Sequence, residues 1–117
     1  MPGPLAKVRL LMCGRDEALL DTRARVLETI GCRTNLAYSL DQMRAELTAA
    51  DKPRLVLICH TAGTETAGQV RSLALQAGVP TYFIEKLLPP GQLLSDVSTL
   101  IQESEPSARM TAARRSV

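Results

Sequence analysis

Short apolar runs alternate along this chain with longer segments whose apolar residues recur at helical spacing. Runs of four to eight apolar residues bounded by Gly or Pro favour buried strands, whereas a period near 3.6 favours amphipathic helices. The predicted strands cover residues 8–13, 32–38, 55–58 and 81–85. The predicted helices cover residues 16–30, 39–50, 65–77 and 92–102. The chain therefore predicts the order β-α-β-α-β-α-β-α.

Local signals agree with these boundaries. Gly31 stands where the glycine that ends a helix is expected. Ser39 and Gln42 form a capping box, in which the hydroxyl accepts from the third helical N–H and the amide reaches back to the first. Residues 55–58 are the most apolar tetrapeptide and predict a central strand, with Val56 and Ile58 on one face and Leu55 and Leu57 on the other.

Strict alternation of strands and helices predicts an open parallel α/β sheet with helices on both faces, flavodoxin-like in type. We count four strands, with five as the alternative. Sites in such folds lie outside the carboxyl ends of the strands, where the strand order reverses. The segments to examine for function are therefore residues 13–16, 59–64 and 85–88.

Length and composition indicate one globular domain. The chain has 117 residues, of which 45% are apolar, enough for a core but not for two domains. We assign residues 1–103 to the domain. The composition then shifts to Ser, Ala, Arg and Thr without an apolar period, so residues 104–117 are predicted to be a flexible tail.

Charge and residue usage exclude several classes of partner. The net charge is +2 and aromatic residues are 3% of the chain, which supports neither a polyanion site nor base stacking, so no nucleic acid is expected. No apolar run approaches the length of a membrane span. Three cysteines without a C-x-x-C pair give no disulfide framework or zinc signature. A reduced, cytoplasmic protein is therefore expected.

Several segments resemble the receiver domains of bacterial response regulators. Residues 31–35, Gly-Cys-Arg-Thr-Asn, are similar to the A-G-Y-x-V turn of receivers, and residues 53–59 to their P-D-L-V-L-L-D strand. Residues 75–78 and 82–86 resemble the A-G-A-x-x-Y-L-x-K-P-F segment. The resemblance covers about residues 7–102, and it implies a receiver-like fold.

The receiver active site is the part that does not carry over. Receivers place two acidic residues after the first strand to hold Mg²⁺, where this chain has Gly14 and Arg15, with Asp16 one step late. Receivers place the phosphorylated Asp at the end of the third strand, where this chain has Cys59. Lys86 matches the receiver lysine, although no Pro follows it. We therefore expect no metal site, no cofactor and no ordinary aspartyl phosphorylation.

Receivers have five strands, so this chain is short by about one β-α unit, lost between residues 61 and 82. In receivers the face around the last strand is the usual contact surface, which makes Tyr82, Leu87 and Leu88 the candidate interface here. Two leucines in a short loop are otherwise unusual in water. The alternative is that Leu87 and Leu88 fold back over the core where the missing unit would lie.

These observations predict a non-catalytic signalling or protein-interaction domain that binds a protein partner or a second copy, and not an enzyme. The alternative is a small redox or phosphotransfer protein that uses Cys13 or Cys59, which end strands expected to be neighbours. His60 is expected to point away from Cys59 along the strand. Leu19 stands six residues after Cys13, where a cysteine phosphatase would need Arg. A third hypothesis is a small-ligand binder, although the chain has no G-x-G-x-x-G fingerprint to support it.

Overall fold

A computed structural model describes residues 8–104 of the chain. The predicted tail lies outside this range except for Ser104, which ends the last helix. The elements are β1 Arg9–Cys13, α1 Glu17–Glu28, β2 Arg33–Ala37, α2 Leu40–Thr48, β3 Leu55–Cys59, a 3₁₀ turn His60–Ala62, α3 Thr64–Ala77, β4 Thr81–Ile84 and α4 Pro90–Ser104. The predicted order is confirmed, and each predicted boundary lies within two residues of the observed one.

The four strands form one parallel sheet in the order β2-β1-β3-β4. The prediction of an open parallel sheet with helices on both faces is confirmed. Every residue of β1 and β3 is buried, whereas the edge strands β2 and β4 are partly exposed. This difference follows from position, because the two inner strands have a neighbour on each side and helices above and below.

The predicted alternation of β3 is also confirmed. Leu55 and Leu57 belong to the hydrophobic cluster formed with α1 and α4, and Val56 and Ile58 belong to the cluster formed with α2 and α3. All four side chains are fully buried. The sheet is thus the middle of three layers, with two helices on each face.

The placement of α4 shows which part of a five-stranded fold this chain lacks. Right-handed crossovers put α1 on one face and put α2 and α3, which connect strands in the opposite direction, on the other. A helix leading to a fifth strand beyond β4 would also lie on the α2–α3 face. Instead α4 packs on the α1 face, so the missing unit is one whose helix would cover the α2–α3 face beside β4. This unit would follow Ile84, so the expected position of the loss between residues 61 and 82 was wrong: α3 and β4 occupy that segment. Phe83 lies beside this gap and is 39% exposed, with the Arg71 guanidinium 5.9 Å from its ring centroid.

The caps of α1 and α2 follow the sequence signals, with one correction. The Asp16 carboxylate accepts from the Leu19 N–H at 3.1 Å, and the Ser39 hydroxyl accepts from the Gln42 N–H at 3.2 Å. The Gln42 side-chain carbonyl, however, accepts from the backbone N–H of Tyr38 at 2.6 Å, two residues before the predicted donor. The extended conformation of Ser39 is consistent with this shift, since it is the residue that leads from the strand into the helix.

A buried arginine connects three elements at the amino end of the sheet. Arg9 Nη1 lies 2.7 Å from a carboxylate oxygen of Glu46 and 3.2 Å from the side-chain oxygen of Asn35. The same guanidinium donates to the backbone carbonyl of Asp51, and its Nε lies 3.6 Å from the Asp51 carboxylate. This contact set joins β1 to β2, α2 and the loop before β3.

Among residues 8–104, no helix is long and apolar enough to cross a membrane.

Candidate functional site

The loop after β1 is held against the turn after β3. The Thr61 hydroxyl accepts from the backbone N–H of Arg15 at 3.1 Å and of Asp16 at 3.5 Å. A Cβ added to Gly14 would lie 2.6 Å from the Thr61 hydroxyl oxygen and 3.0 Å from the Cys59 Cβ. Glycine is therefore required at this position because the two chain segments approach too closely for any side chain.

The residues after β1, where the resemblance implies acidic metal ligands, do not form an acidic site. Gly14 has no side chain, and Arg15 brings a cation. The Asp16 carboxylate caps α1, where it accepts from the Leu19 N–H. Within the described residues, no group of three or more His, Cys, Asp or Glu side chains could hold a metal ion.

The polar centre of this region is Arg23 of α1. Its Nη1 lies 2.8 Å from the sulfur of Cys59, which is fully buried at the end of β3. Its Nη2 donates to the backbone carbonyls of Glu85 at 3.1 Å and of Lys86 at 3.5 Å. Arg23 is only 7% exposed. One guanidinium thus joins α1, the end of β3 and the loop that follows β4.

The charge of this guanidinium is not matched by a carboxylate. Arginine stays protonated in proteins, and a buried charge is costly unless other groups compensate it. None of the ion pairs found within residues 8–104 involves Arg23. Its acceptors are a sulfur and two carbonyl oxygens, so the site holds a fixed cation beside Cys59.

As a charged residue, Arg23 is expected mostly outside the apolar face of the first helix, and this expectation is wrong. The buried residues of the helix are Leu20, Arg23, Ala24 and Leu27. Their spacing of i, i+3, i+4 and i+7 is that of a core-facing stripe, and Arg23 is one of its members. The signal was therefore present in the sequence, but the residue type concealed it.

His60 also approaches the Cys59 sulfur. Its Nδ1 lies 3.7 Å from Sγ. The expectation that the two side chains point apart was wrong because β3 ends at Cys59 and His60 begins a 3₁₀ turn, where strand alternation no longer applies. Cys59 Sγ is thus in contact with a guanidinium and an imidazole.

Cys13 ends the neighbouring strand, as expected, but it lies on the other face of the sheet. It is paired in register with Ile58 and belongs to the α2–α3 cluster, whereas Cys59 belongs to the α1–α4 cluster. A direct disulfide between the two would need a strand to rotate. Burial, and next the proximity of Cys59, raise the pKa of Cys13 to about 11, although a backbone hydrogen bond with Cys59 acts in the opposite direction.

A cavity of about 240 Å³ lies beside Cys13, between the loops that follow β1, β2 and β3. Its rim carries the polar side chains of Arg15, Tyr38, Ser39 and Thr66. The cavity is on the α2–α3 side of the sheet, and neither Arg23 nor Cys59 lines it. The cavity and the Arg23–Cys59 contact are therefore separate features.

The residues predicted as an interface divide into three environments. Leu87 is 87% exposed, whereas Leu88 is half-buried and packs against the α1–α4 cluster. The Tyr82 hydroxyl donates to the Asp96 carboxylate at 2.5 Å, and burial together with this carboxylate raises the Tyr82 pKa. The Lys86 side chain is exposed. Of the two leucines, one faces water and one covers the core.

The comparisons with known proteins identify the fold. No protein-family model matches the sequence, and no curated protein matches it. A CheY-like response regulator receiver domain protein from Methanospirillum hungatei JF-1 is similar in structure with a TM-score of 0.63 at 21% identity, over 85% of this chain and 97% of that one. A two-component response regulator from Clostridium difficile has a TM-score of 0.62 at 16% identity, over 82% of this chain and 97% of that one.

These likenesses show that the chain has a receiver-like fold. A protein described as an adenylate cyclase from Rhodopirellula baltica is also similar, with a TM-score of 0.56 at 17% identity, over 93% of this chain and 95% of that one. Proteins of different description thus share this architecture, and function must be argued from the residues of the site.

Proposed function

We propose that this chain is a non-catalytic, receiver-like signalling domain that acts by binding a protein and does not use aspartyl phosphorylation. The observation that carries the proposal is the contact between Arg23 and Cys59. In receivers the residue at the Cys59 position is the Asp that accepts the phosphoryl group. Here that position holds a buried sulfur, and a guanidinium of the same chain lies against it.

The surrounding residues support this proposal. Mg²⁺ binds oxygen ligands in near-octahedral geometry, and carboxylates are its usual protein partners. Gly14 and Arg15 supply none, and the Asp16 carboxylate is occupied as the cap of α1. A cation from solvent would also be repelled by the buried charge of Arg23. The chain thus holds its own cation where receivers recruit one.

A domain without this chemistry acts through its surfaces. β4 is an edge strand, so one row of its backbone N–H and C=O groups has no strand neighbour within the described residues. Leu87 lies just beyond it and is exposed. We infer a protein partner or a second copy at this side of the sheet. A bacterial cytoplasmic signalling protein, with neither nucleic acid nor membrane as partner, is the setting that the proposal implies.

The chemical half of the proposal is tested by incubating the protein with acetyl phosphate and Mg²⁺ and measuring its intact mass. We expect no phosphoryl group to be added, with a phosphorylatable receiver as the positive control. Cys59→Asp is the matched variant, and it should also stay unmodified because the metal ligands are missing as well. A Mg²⁺-dependent gain of one phosphoryl group by the natural chain would contradict the proposal.

The binding half is tested by comparing Leu87→Asp with Leu88→Asp. We expect Leu88→Asp to lower the free energy of unfolding by about 1–3 kcal/mol, because it places a charge against the core. Leu87→Asp should change it by less than about 0.5 kcal/mol, since an exposed side chain is replaced. Sedimentation velocity or partner capture then measures association. If Leu87→Asp leaves all association unchanged, Leu87 is not part of an interface.

A further inference from the structure

We propose that Cys59 is an oxidation site that reacts with hydrogen peroxide, and that Arg23 holds the anionic sulfur species formed there. This inference does not rest on the proposed signalling function. It concerns what a buried guanidinium does to the sulfur with which it is in contact.

The geometry places a guanidinium that has no carboxylate partner against one sulfur atom. Arg23 Nη1 is 2.8 Å from Cys59 Sγ, and no carboxylate forms an ion pair with Arg23 in residues 8–104. Hydrogen bonds to an anionic acceptor are about twice as strong as those between neutral groups. The guanidinium is therefore placed to hold the negative charge of an oxygenated product formed on Sγ.

The other two thiols provide the contrast. Burial is the main cause that raises the pKa of Cys13 to about 11, and burial also raises the pKa of Cys32. Neither sulfur has a hydrogen bond from an arginine or a lysine among the described contacts. Both should remain protonated and unreactive near neutral pH, so oxidation should be confined to Cys59.

The reaction balances with hydrogen peroxide as the oxidant. The sulfur attacks one peroxide oxygen, an S–O bond forms and the O–O bond breaks. The sulfur loses two electrons to give a sulfenic acid, and the departing hydroxide takes a proton to become water. A second peroxide gives the sulfinic acid, whose anion would pair with Arg23. Cys13 is near but its side chain lies on the other face of the sheet, so its sulfur is not placed to form a disulfide directly with the sulfenic acid.

The loop after β4 lies beside the Arg23–Cys59 contact. Cys59 is fully buried, and the backbone carbonyls of Glu85 and Lys86 lie on the far side of the guanidinium. The side chains of these two residues are exposed. Gly14 packs against the Cβ of Cys59. Because the sulfur is fully buried, peroxide would reach it only when the surrounding chain opens, and the loop after β4 is the contacting segment whose side chains are exposed.

The test treats the reduced full-length chain with hydrogen peroxide, with and without dimedone, and follows intact mass and peptide masses. We expect one or two oxygen atoms, or one dimedone adduct, on the peptide that contains Cys59. Cys13→Ser and Cys32→Ser should react like the natural chain, and Cys59→Ser should not react at its substituted position. Arg23→Met should slow the reaction about tenfold, in line with the loss of a charge-assisted hydrogen bond. Arg23→Lys should restore part of the rate.

Circular dichroism establishes that each arginine variant is folded, and Arg23→Lys provides the comparison if Arg23→Met is not. Three results would overturn the proposal. The first is oxygen distributed equally over the three cysteines. The second is an unchanged rate in a folded arginine variant. The third is a native chain that never reacts at Cys59 although the urea-unfolded chain does.

Discussion

Two buried arginines lie at opposite ends of the same sheet, and they are stabilised in different ways. Arg9 at the amino end is surrounded by acceptors that include the carboxylates of Glu46 and Asp51. Arg23 reaches the carboxyl end, where its acceptors are the Cys59 sulfur and two backbone carbonyls. Both residues are less than one tenth exposed. They therefore differ in the groups that balance the charge and not in burial.

The difference shows which arginine is part of the scaffold. A guanidinium with carboxylate partners stabilises a fold because each charge lowers the cost of burying the other. A guanidinium whose acceptors are only a sulfur and two carbonyl oxygens gains less stabilisation from its surroundings. Its burial is therefore better explained by its place in the site. Arg23 reaches the carboxyl end of the sheet, where open α/β folds generally bind their ligands, and Arg9 lies away from it.

The largest effect expected from this comparison is that of Arg9→Met. The substitution keeps most of the apolar volume but leaves Glu46 and Asp51 without their cation. Loss of one partner from a buried pair costs about 3–5 kcal/mol, and because these carboxylates are 38% and 82% exposed we expect about 2–3 kcal/mol. Urea unfolding measures it. Arg44→Met, which breaks a surface pair with Asp41, is the control and should cost less than about 0.5 kcal/mol. Equal losses in the two variants would remove the distinction.

The next effect concerns the thiol that lacks a cation. Cys13 has a folded-state pKa of about 11, above the ordinary value of 9.0, so the unfolded chain loses this proton first. The stability that the neutral thiol contributes is complete below pH 9 and is lost as the pH rises from 9 towards 11. The expected decrease is about 2 kcal/mol, since one pKa unit corresponds to about 1.4 kcal/mol. Cys13→Ala should remove this decrease, and the same slope in both proteins would contradict the assignment.

The smallest effect is expected for Arg23→Met. Removal of this guanidinium breaks its hydrogen bonds to the Cys59 sulfur and to two backbone carbonyls, but it leaves no carboxylate unpaired. It also removes the cost of burying a charge, so the loss and the gain in stability nearly cancel. We expect the free energy of unfolding to change by less than about 1 kcal/mol in either direction. A loss as large as that of Arg9→Met would mean that Arg23 is a structural residue like Arg9.

The sequence predicted the fold because its main determinants are local. The apolar run 55–58, the Ser39 cap and the alternation of periods each act within a few residues, and the observed elements agree with them. The crossover rule then fixes the sheet once the elements are known. Neither the local patterns nor the crossover rule predicts the face on which α4 packs, because this helix leads to no further strand in the described residues.

The site was less predictable because its contacts join residues distant in the chain. Arg23 and Cys59 are 36 positions apart, and only the stripe formed by Leu20, Arg23, Ala24 and Leu27 pointed inward. The opposite orientation of the two strand-end thiols depends on the register that pairs Cys13 with Ile58, and no local pattern encodes a register between strands. His60 was misplaced because strand alternation was assumed to continue from Cys59 to His60, where a 3₁₀ turn begins instead.

The central claim is that the chain supplies its own cation at this edge of the sheet and recruits none from solvent. A titration of the natural protein with Mg²⁺, followed by backbone amide NMR, tests it most directly. We predict that the resonances of Gly14, Arg15 and Cys59 do not move as Mg²⁺ reaches millimolar concentration. Saturable shifts confined to these residues would show that a metal ion binds beside Cys59, and would contradict the account.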